Sequence, residues 1–174
     1  MRHLQYLGAQ VIYLQETHFK PSVFSRLRNG WIGHAYYSSF NSKSRGFAIL
    51  IHKSVPFAFT RMVSDPNGRY LIVIGMIYDT PVLLVNVYAP NWDDVNFFSN
   101  LPDMSSHFLI LGGDFNCWLS PQLDRSSKKT ATPSGSAKTI RDFMSECAIT
   151  DPWRFFNPTG KAYSFFSNVH RRCF

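Results

Sequence analysis

An aspartate and an asparagine two positions apart, Asp114 and Asn116, follow the apolar run Leu109, Ile110 and Leu111 and the glycine pair Gly112 and Gly113. Apolar residues on both faces fit a strand covered on both sides, and the paired glycines end it while letting the backbone approach a neighbour closely. An acid and an amide on such a turn can both point at one phosphate and its attacking water. An Asx-type turn alone would also favour these residues. Three other segments place polar groups at the end of an apolar strand: Gln15 to His18, Asn86 to Asn91, and Ser164 to Ser167. If the strands lie side by side, these ends converge on one pocket. Hydrolysis of a phosphodiester needs a hard cation, an oriented water, stabilisation of extra charge and a proton for the leaving oxygen. Glu16 suits Mg²⁺, which takes one or two protein oxygens and keeps most of its waters. Asp114 could orient the water, Asn116 could hold Asp114 and a phosphate oxygen, and Tyr88 could donate its hydroxyl to the phosphate.

The charge layout agrees with an anionic partner. The net charge is +7, and from Thr17 to Ser64 every charged residue is basic: Lys20, Arg26, Arg28, Lys43, Arg45, Lys53 and Arg61. Between Asp65 and Asp124 the balance reverses, and Arg69 is the sole base. From Arg125 onward basic residues again dominate. Basic flanks around an acidic, metal-ready middle suit a polyanion, although solvated charges on a basic protein give the same pattern. With 174 residues, 45% of them hydrophobic, the chain is read as one globular domain over 1–174. The longest apolar run, Leu71 to Tyr78, is too short to span a bilayer, so no membrane is implied. Arg2 to Tyr6 lacks the apolar segment of a secretion signal. Cys117, Cys147 and Cys173 have no zinc-like spacing and cannot all pair, which suits a reducing, intracellular setting.

His3 to Leu7 resembles a helix tail ended by Gly8, Val11 to Leu14 a short buried strand, and Pro21 to Leu27 a helical stretch. Trp31 to Tyr37, Gly46 to His52 and Phe57 to Val63 are rich in aromatic and branched residues and predict strands. Asp65-Pro66-Asn67-Gly68 is a hairpin turn into Tyr70 to Tyr78, and Asp79-Thr80-Pro81 a second turn before Val82 to Tyr88. Asp93 to Leu101 predicts a helix capped by Asp93 or Asp94. Pro121 to Ser136 is a polar, basic loop, Ala137 to Cys147 a helix with Ile140, Phe143, Met144 and Cys147 on one face, and Tyr163 to Phe166 a last strand. Hairpins with helices inserted between some of them predict an α/β sandwich of two mainly antiparallel sheets.

The segments QETH, GFAILIH, NVYAPN and GGDFN, in that order, resemble the exonuclease–endonuclease–phosphatase superfamily. QETH, VYAPN, GDFN followed by LDR, and YSFFS most resemble the endonuclease domain of LINE-type retrotransposons. The resemblance implies a four-layer α/β sandwich with outer helices and Mg²⁺-dependent phosphodiester cleavage, with Mn²⁺ able to substitute. For that branch it implies nicking of one strand of chromosomal DNA, whose 3′-hydroxyl primes reverse transcription of the element's RNA. DNA, element RNA and a reverse transcriptase domain are the implied partners, the implied site of action is nuclear, and the chain is expected to be a monomer. Motif by motif, Glu16 falls on the metal-ligand glutamate and Tyr88 on the phosphate-contacting tyrosine. Asp114 and Asn116 fall on the pair that positions the nucleophile and steadies the transition state. His18 and Ser164 fall near the DNA cleft, and Arg125, Lys128, Lys129 and Lys138 are candidate phosphate contacts or a solvated loop. Tyr88 could instead be a packing residue, and His18 a structural hydrogen-bonding partner. His170 lies outside the catalytic motif.

Two pieces of the family pattern are missing. A full member opens with a strand carrying a metal-binding asparagine and closes with a late Ser-Asp-His motif after an SRIDY-like segment. By that pattern this chain would begin inside the helix after that strand and stop short of the late motif. Losing the His–Asp pair removes a major partner for the reacting phosphate, so a fragment with impaired nicking is expected. Two alternatives stand beside a nicking endonuclease: a non-catalytic nucleic-acid-binding relic, and another phosphodiesterase of the superfamily such as an abasic-site endonuclease.

Overall fold

The computed structural model describes residues 8–17, 30–41, 44–102, 108–126 and 132–163, with residues 6, 104, 166–167 and 172–173. The helix expected over Pro21 to Leu27 lies outside them, as do most of the residues before Gly8. The chain packs as two compact units, Met1–Ala89 with Met104–Asp114, and Pro90–Asp103 with Phe115–Phe174.

The first unit is built from two sheets. Strands β1 (Val11–Leu14), β2 (Ile32–Asn41) and β3 (Ser44–His52) form an antiparallel sheet in the order β1-β3-β2. Strands β4 (Phe57–Ser64), β5 (Tyr70–Ile77), β6 (Thr80–Tyr88) and β7 (Phe108–Asp114) form the second sheet in that order. Its first three strands are antiparallel, and β7 runs parallel to β6. A parallel neighbour needs a long crossover rather than a hairpin, and residues 89–107 provide it.

Alternation along the strands explains why two sheets stack. Phe47, Ile49 and Ile51 of β3 share one buried cluster with Leu71, Val73, Val82 and Leu84 of the second sheet, while Ala48 and Leu50 join Ile12, Ile32 and Ala35 in another. Side chains two apart on β3 therefore feed one core and their neighbours the other. Each fully buried aliphatic side chain here contributes about 1.5–3 kcal/mol of transfer free energy.

The turns follow their residues. In the β4–β5 hairpin the Gly68 N–H donates to the Asp65 carbonyl oxygen at 3.0 Å and the Arg69 N–H to Asp65 Oδ2 at 2.9 Å. The next turn is tighter than expected. Thr80 already pairs with Ile77 and Pro81 with Met76, so the turn is Tyr78 and Asp79, with Tyr78 at φ 53°.

β7 differs most from the expectation. It does not stop at the glycines: Gly112 pairs with Asn86, Gly113 with Val87 and Asp114 with Tyr88. The glycines answer two close approaches. A Cβ at Gly112 would lie 2.6 Å from the Tyr13 ring, whose hydroxyl donates to the Ile110 carbonyl oxygen at 2.9 Å. Gly113 sits at φ 139°, where a Cβ would lie 2.0 Å from the Val87 carbonyl oxygen. Nor is β7 covered on both faces, since Phe108 is 70% exposed and Ile110 44%.

In the second unit, the stretch from Asp93 to Leu101 forms turns, not the expected helix. Its hydrogen bonds mix short reaches, such as Leu101 N–H to the Phe98 carbonyl, with a single longer one from Asn100 to Asn96. Asn96, Phe97, Phe98 and Asn100 are modest helix formers, and Asp93 caps a different helix. That helix, α1 (Gly135–Glu146), starts two residues earlier than expected. Ser134 Oγ accepts from the Ala137 N–H at 3.1 Å, and Asp93 accepts from the Gly135 and Ser136 N–H groups at 2.9 and 2.7 Å. The anticipated apolar face is present, with Ile140 and Phe143 buried. A second helix, α2 (Pro152–Phe156), was not anticipated, although Asp151 as cap and Pro152 in the first turn signal a helix start. Near the end, β8 (Phe166–Ser167) pairs with β9 (Arg172–Cys173), two residues each. Among the described residues no helix is long and apolar enough to cross a membrane.

Candidate active site

Three of the sequence-predicted residues gather in the first unit at strand ends. Glu16 follows β1, Tyr88 ends β6 and Asp114 ends β7. The Tyr88 hydroxyl donates to Glu16 Oε1 at 2.7 Å. Asp114 is the register partner of Tyr88, and the Ala89 N–H donates to the Asp114 carbonyl oxygen at 2.8 Å, closing the strand pair just past both side chains. Glu16 and Asp114 are exposed and Tyr88 is half-buried.

Glu16 has φ 50°, a left-handed conformation that costs a side-chain-bearing residue about 1–2 kcal/mol. The surroundings hold it there. On one side the Thr17 N–H donates to the Gly46 carbonyl oxygen at 3.1 Å, keeping the chain against β3. On the other, Gln15 Nε2 donates to Asn86 Oδ1 at 2.6 Å. Asn86 is fully buried, and its Nδ2 donates to the Leu14 and Ala48 carbonyl oxygens at 3.0 and 3.1 Å. A burial that would be costly for a bare amide is thus satisfied on both its oxygen and its nitrogen.

The electrostatics fix the role Tyr88 can play. Its pKa is pushed up to about 12, first by the hydrogen bond to Glu16, then by burial and by the Glu16 and Asp114 charges. Arg69 opposes the rise; its guanidinium carbon lies 5.8 Å from the centre of the Tyr88 ring. At neutral pH the hydroxyl therefore keeps its proton, which makes it a donor and neither base nor nucleophile. Arg69 also reaches the Tyr88 carbonyl oxygen, at 3.5 Å, while its own carbonyl accepts from the Tyr88 N–H at 2.8 Å. The single base of the acidic middle thus lies against the candidate site. Sequence reasoning assigned no role to Arg69, Gln15 or Asn86. A lone base in an acidic stretch was a signal for Arg69, and the polar Gln15 and Asn86 at apolar strand ends were signals for the others.

The remaining predicted residues fall elsewhere. Asn116 belongs to the second unit, exposed and at φ 48°, a conformation that asparagine tolerates better than most residues. Arg125, also in that unit, lies over the Trp118 ring at 4.6 Å, and its carbonyl accepts from the Tyr163 hydroxyl at 3.3 Å. The neighbouring Asp124 pairs with Arg154 at 2.6 Å. Lys138 is exposed on α1. His18, Ser164, Lys128, Lys129 and His170 lie outside the described residues.

Among the described residues no three His, Cys, Asp or Glu side chains cluster as a metal cage. Exposed carboxylates at Glu16 and Asp114 are hard oxygen donors, and they fit a cation held by one or two protein oxygens that keeps most of its water.

Residues 1–170 match the Endonuclease/Exonuclease/phosphatase family, and the chain belongs to that family. It is 29% identical over 165 residues, 91% of its length, to the "Transposon TX1 uncharacterized 149 kDa protein" of Xenopus laevis. The chain spans 12% of that relative's length. Among solved structures, an AP endonuclease from Archaeoglobus fulgidus aligns with TM-score 0.68 and 18% identity over 96% of this chain and 71% of its own. The 3′ phosphatase NExo from Neisseria, bound to a product DNA hairpin, aligns with TM-score 0.65 and 20% identity over 96% of this chain and 73% of its own. At these identities the likeness establishes the fold: the two sheets are those of the α/β sandwich expected from the sequence. The family is one of nucleases and phosphatases that generally use divalent metal ions.

Proposed function

We propose that the chain carries the phosphodiester-cleaving site of a Mg²⁺-dependent, DNA-nicking endonuclease of a retrotransposon. The carrying observation is the 2.7 Å bond from Tyr88 to Glu16 beside Asp114, at the ends of β6, β1 and β7, in a member of a nuclease family. Glu16, with Asp114 near it, is the group that would hold Mg²⁺ or Mn²⁺. Once bound, the cation supplies positive charge against the phosphate oxygens. Asp114 accepts a proton from the attacking water and aims its oxygen at phosphorus. The new bond joins that oxygen to phosphorus as the bond to the 3′ oxygen breaks, and the freed 3′ oxygen takes up a proton from solvent water. Tyr88, which holds its own proton at neutral pH, donates to a phosphate oxygen as charge builds there. Asn116 steadies the phosphate on the ground of its motif alone, and His18, Arg125 and Ser164 contact DNA on the same ground.

The transposon relative supports a retrotransposon setting, with element RNA and a reverse transcriptase as partners and action in the nucleus. Supercoiled plasmid incubated with the chain and Mg²⁺ tests the reading, followed by polymerase extension from any nick. Relaxed circles with extendable 3′ ends support it. Intact plasmid alongside cleavage of an abasic-site duplex points to the abasic-site reading. DNA retention without cleavage points to a binding relic.

A further inference from the structure

Glu16 sits where its backbone conformation is unfavourable, and what adjoins it on the chain is an amide pair, Gln15 half-buried and Asn86 fully buried. Gln15 and Asn86 meet at 2.6 Å, and Asn86, fully buried, ties down the Leu14 carbonyl on β1 and the Ala48 carbonyl on β3 while itself belonging to β6. Two residues further along β6 stands Tyr88, whose hydroxyl meets Glu16. The carboxylate and the hydroxyl thus rest on two short arms that share one buried joint. A hydrogen bond in such a place is strongly directional, because a misplaced partner leaves a desolvated amide unsatisfied.

We propose that Gln15 and Asn86 are positioning residues of the site: their amide pair sets the turn at Glu16 and holds its carboxylate where it meets Tyr88 and takes up a divalent cation. The inference rests on the metal-ligand reading of Glu16 given above. Supporting partners of this kind typically alter metal affinity by about 10–100-fold when removed. Arg69 plays a different part, since it grips the main chain of Tyr88 and lies over its ring.

Asn86→Leu is the obvious variant, but it removes all three hydrogen bonds of a fully buried amide and can abolish folding. Gln15→Met keeps the volume of a half-buried side chain and removes only its amide. Three quantities are measured on the metal-free or Mn²⁺-titrated protein: melting temperature, amide exchange at Thr17, and Mn²⁺ binding by calorimetry with Glu16→Gln as reference. In Gln15→Met we expect a melting temperature within about 5 °C of the parent. We also expect faster exchange at Thr17 and Mn²⁺ affinity lowered about tenfold. Unchanged Thr17 exchange and unchanged Mn²⁺ affinity overturn the inference, leaving a staple between sheets and nothing more. Mn²⁺ binding that is insensitive to Glu16→Gln overturns it as well. If the Thr17 and Mn²⁺ effects appear in a protein that nicks no DNA, positioning stands and the nuclease reading falls.

Discussion

Tyr88 and Glu16, 72 positions apart in the chain, meet through a 2.7 Å hydrogen bond from phenol to carboxylate. One follows the edge strand of the three-stranded sheet and the other ends an inner strand of the four-stranded sheet, so the bond reads out how the sheets stack. Its donor keeps its proton well above neutral pH.

Tyr88→Phe removes that donor and little else, because the ring that Arg69 covers remains. Nicking by the variant is expected to fall by about 10²-fold, the scale for losing one donor to developing charge. Thermal stability should stay within about 1 kcal/mol, the usual worth of a partly exposed hydrogen bond. Steady-state nicking and a melting curve check the two together.

Much of the fold was legible because the strands carry their own pattern. Val11 to Leu14 forms the strand its residues predict, and the Asp65 to Gly68 turn is made by the bonds such residues favour. Errors arose where a local signal was spent elsewhere. Asp93 looks like the cap of the stretch that follows it, yet its carboxylate serves the start of α1, more than 40 residues away in sequence. The two glycines of β7 look like a strand end, yet they are demanded by the Tyr13 ring and the Val87 carbonyl, and both neighbours are invisible to a local reading. The motifs marked Glu16, Tyr88 and Asp114, which the fold gathers in one unit. The pairing of Gln15 with Asn86 is a long-range fact that no window of sequence displays.

Asn86→Ala should cost far more stability than its size suggests. It removes the partner of Gln15 and leaves the Leu14 and Ala48 carbonyls without their buried donor. At about 1 kcal/mol for each of the three hydrogen bonds lost, a loss of about 3 kcal/mol is expected in urea unfolding.

Gly113→Ala should be worse tolerated than a typical strand glycine substitution. Its φ of 139° is closed to alanine, and the added Cβ would meet the Val87 carbonyl oxygen at 2.0 Å. Strain of this order costs about 1–3 kcal/mol for the backbone alone. The β6–β7 register that places Asp114 against Tyr88 would shift with it, so chemical denaturation should show lost stability and nicking should fall in parallel.

Acid should loosen the start of α1. The Ser136 N–H and hydroxyl, followed by the Gly135 N–H, hold the Asp93 carboxyl below its ordinary value of 3.8. A depressed carboxyl contributes stability that is present above the unfolded value and is lost as pH falls through the folded one. Protection of the Gly135 and Ser136 amides, measured against their intrinsic exchange at each pH, should therefore fall as pH drops below 3.8. In Asp93→Asn that acid-dependent loss of protection should be absent, with protection already lower at neutral pH.

The most direct test of the central claim is the rate at which this chain nicks a duplex in Mg²⁺, beside EDTA and an Asp114→Ala variant of equal folded content. A Mg²⁺-dependent nick is expected, which EDTA abolishes and Asp114→Ala slows by about 10²-fold or more. Nicking at the same rate in EDTA or in Asp114→Ala contradicts it.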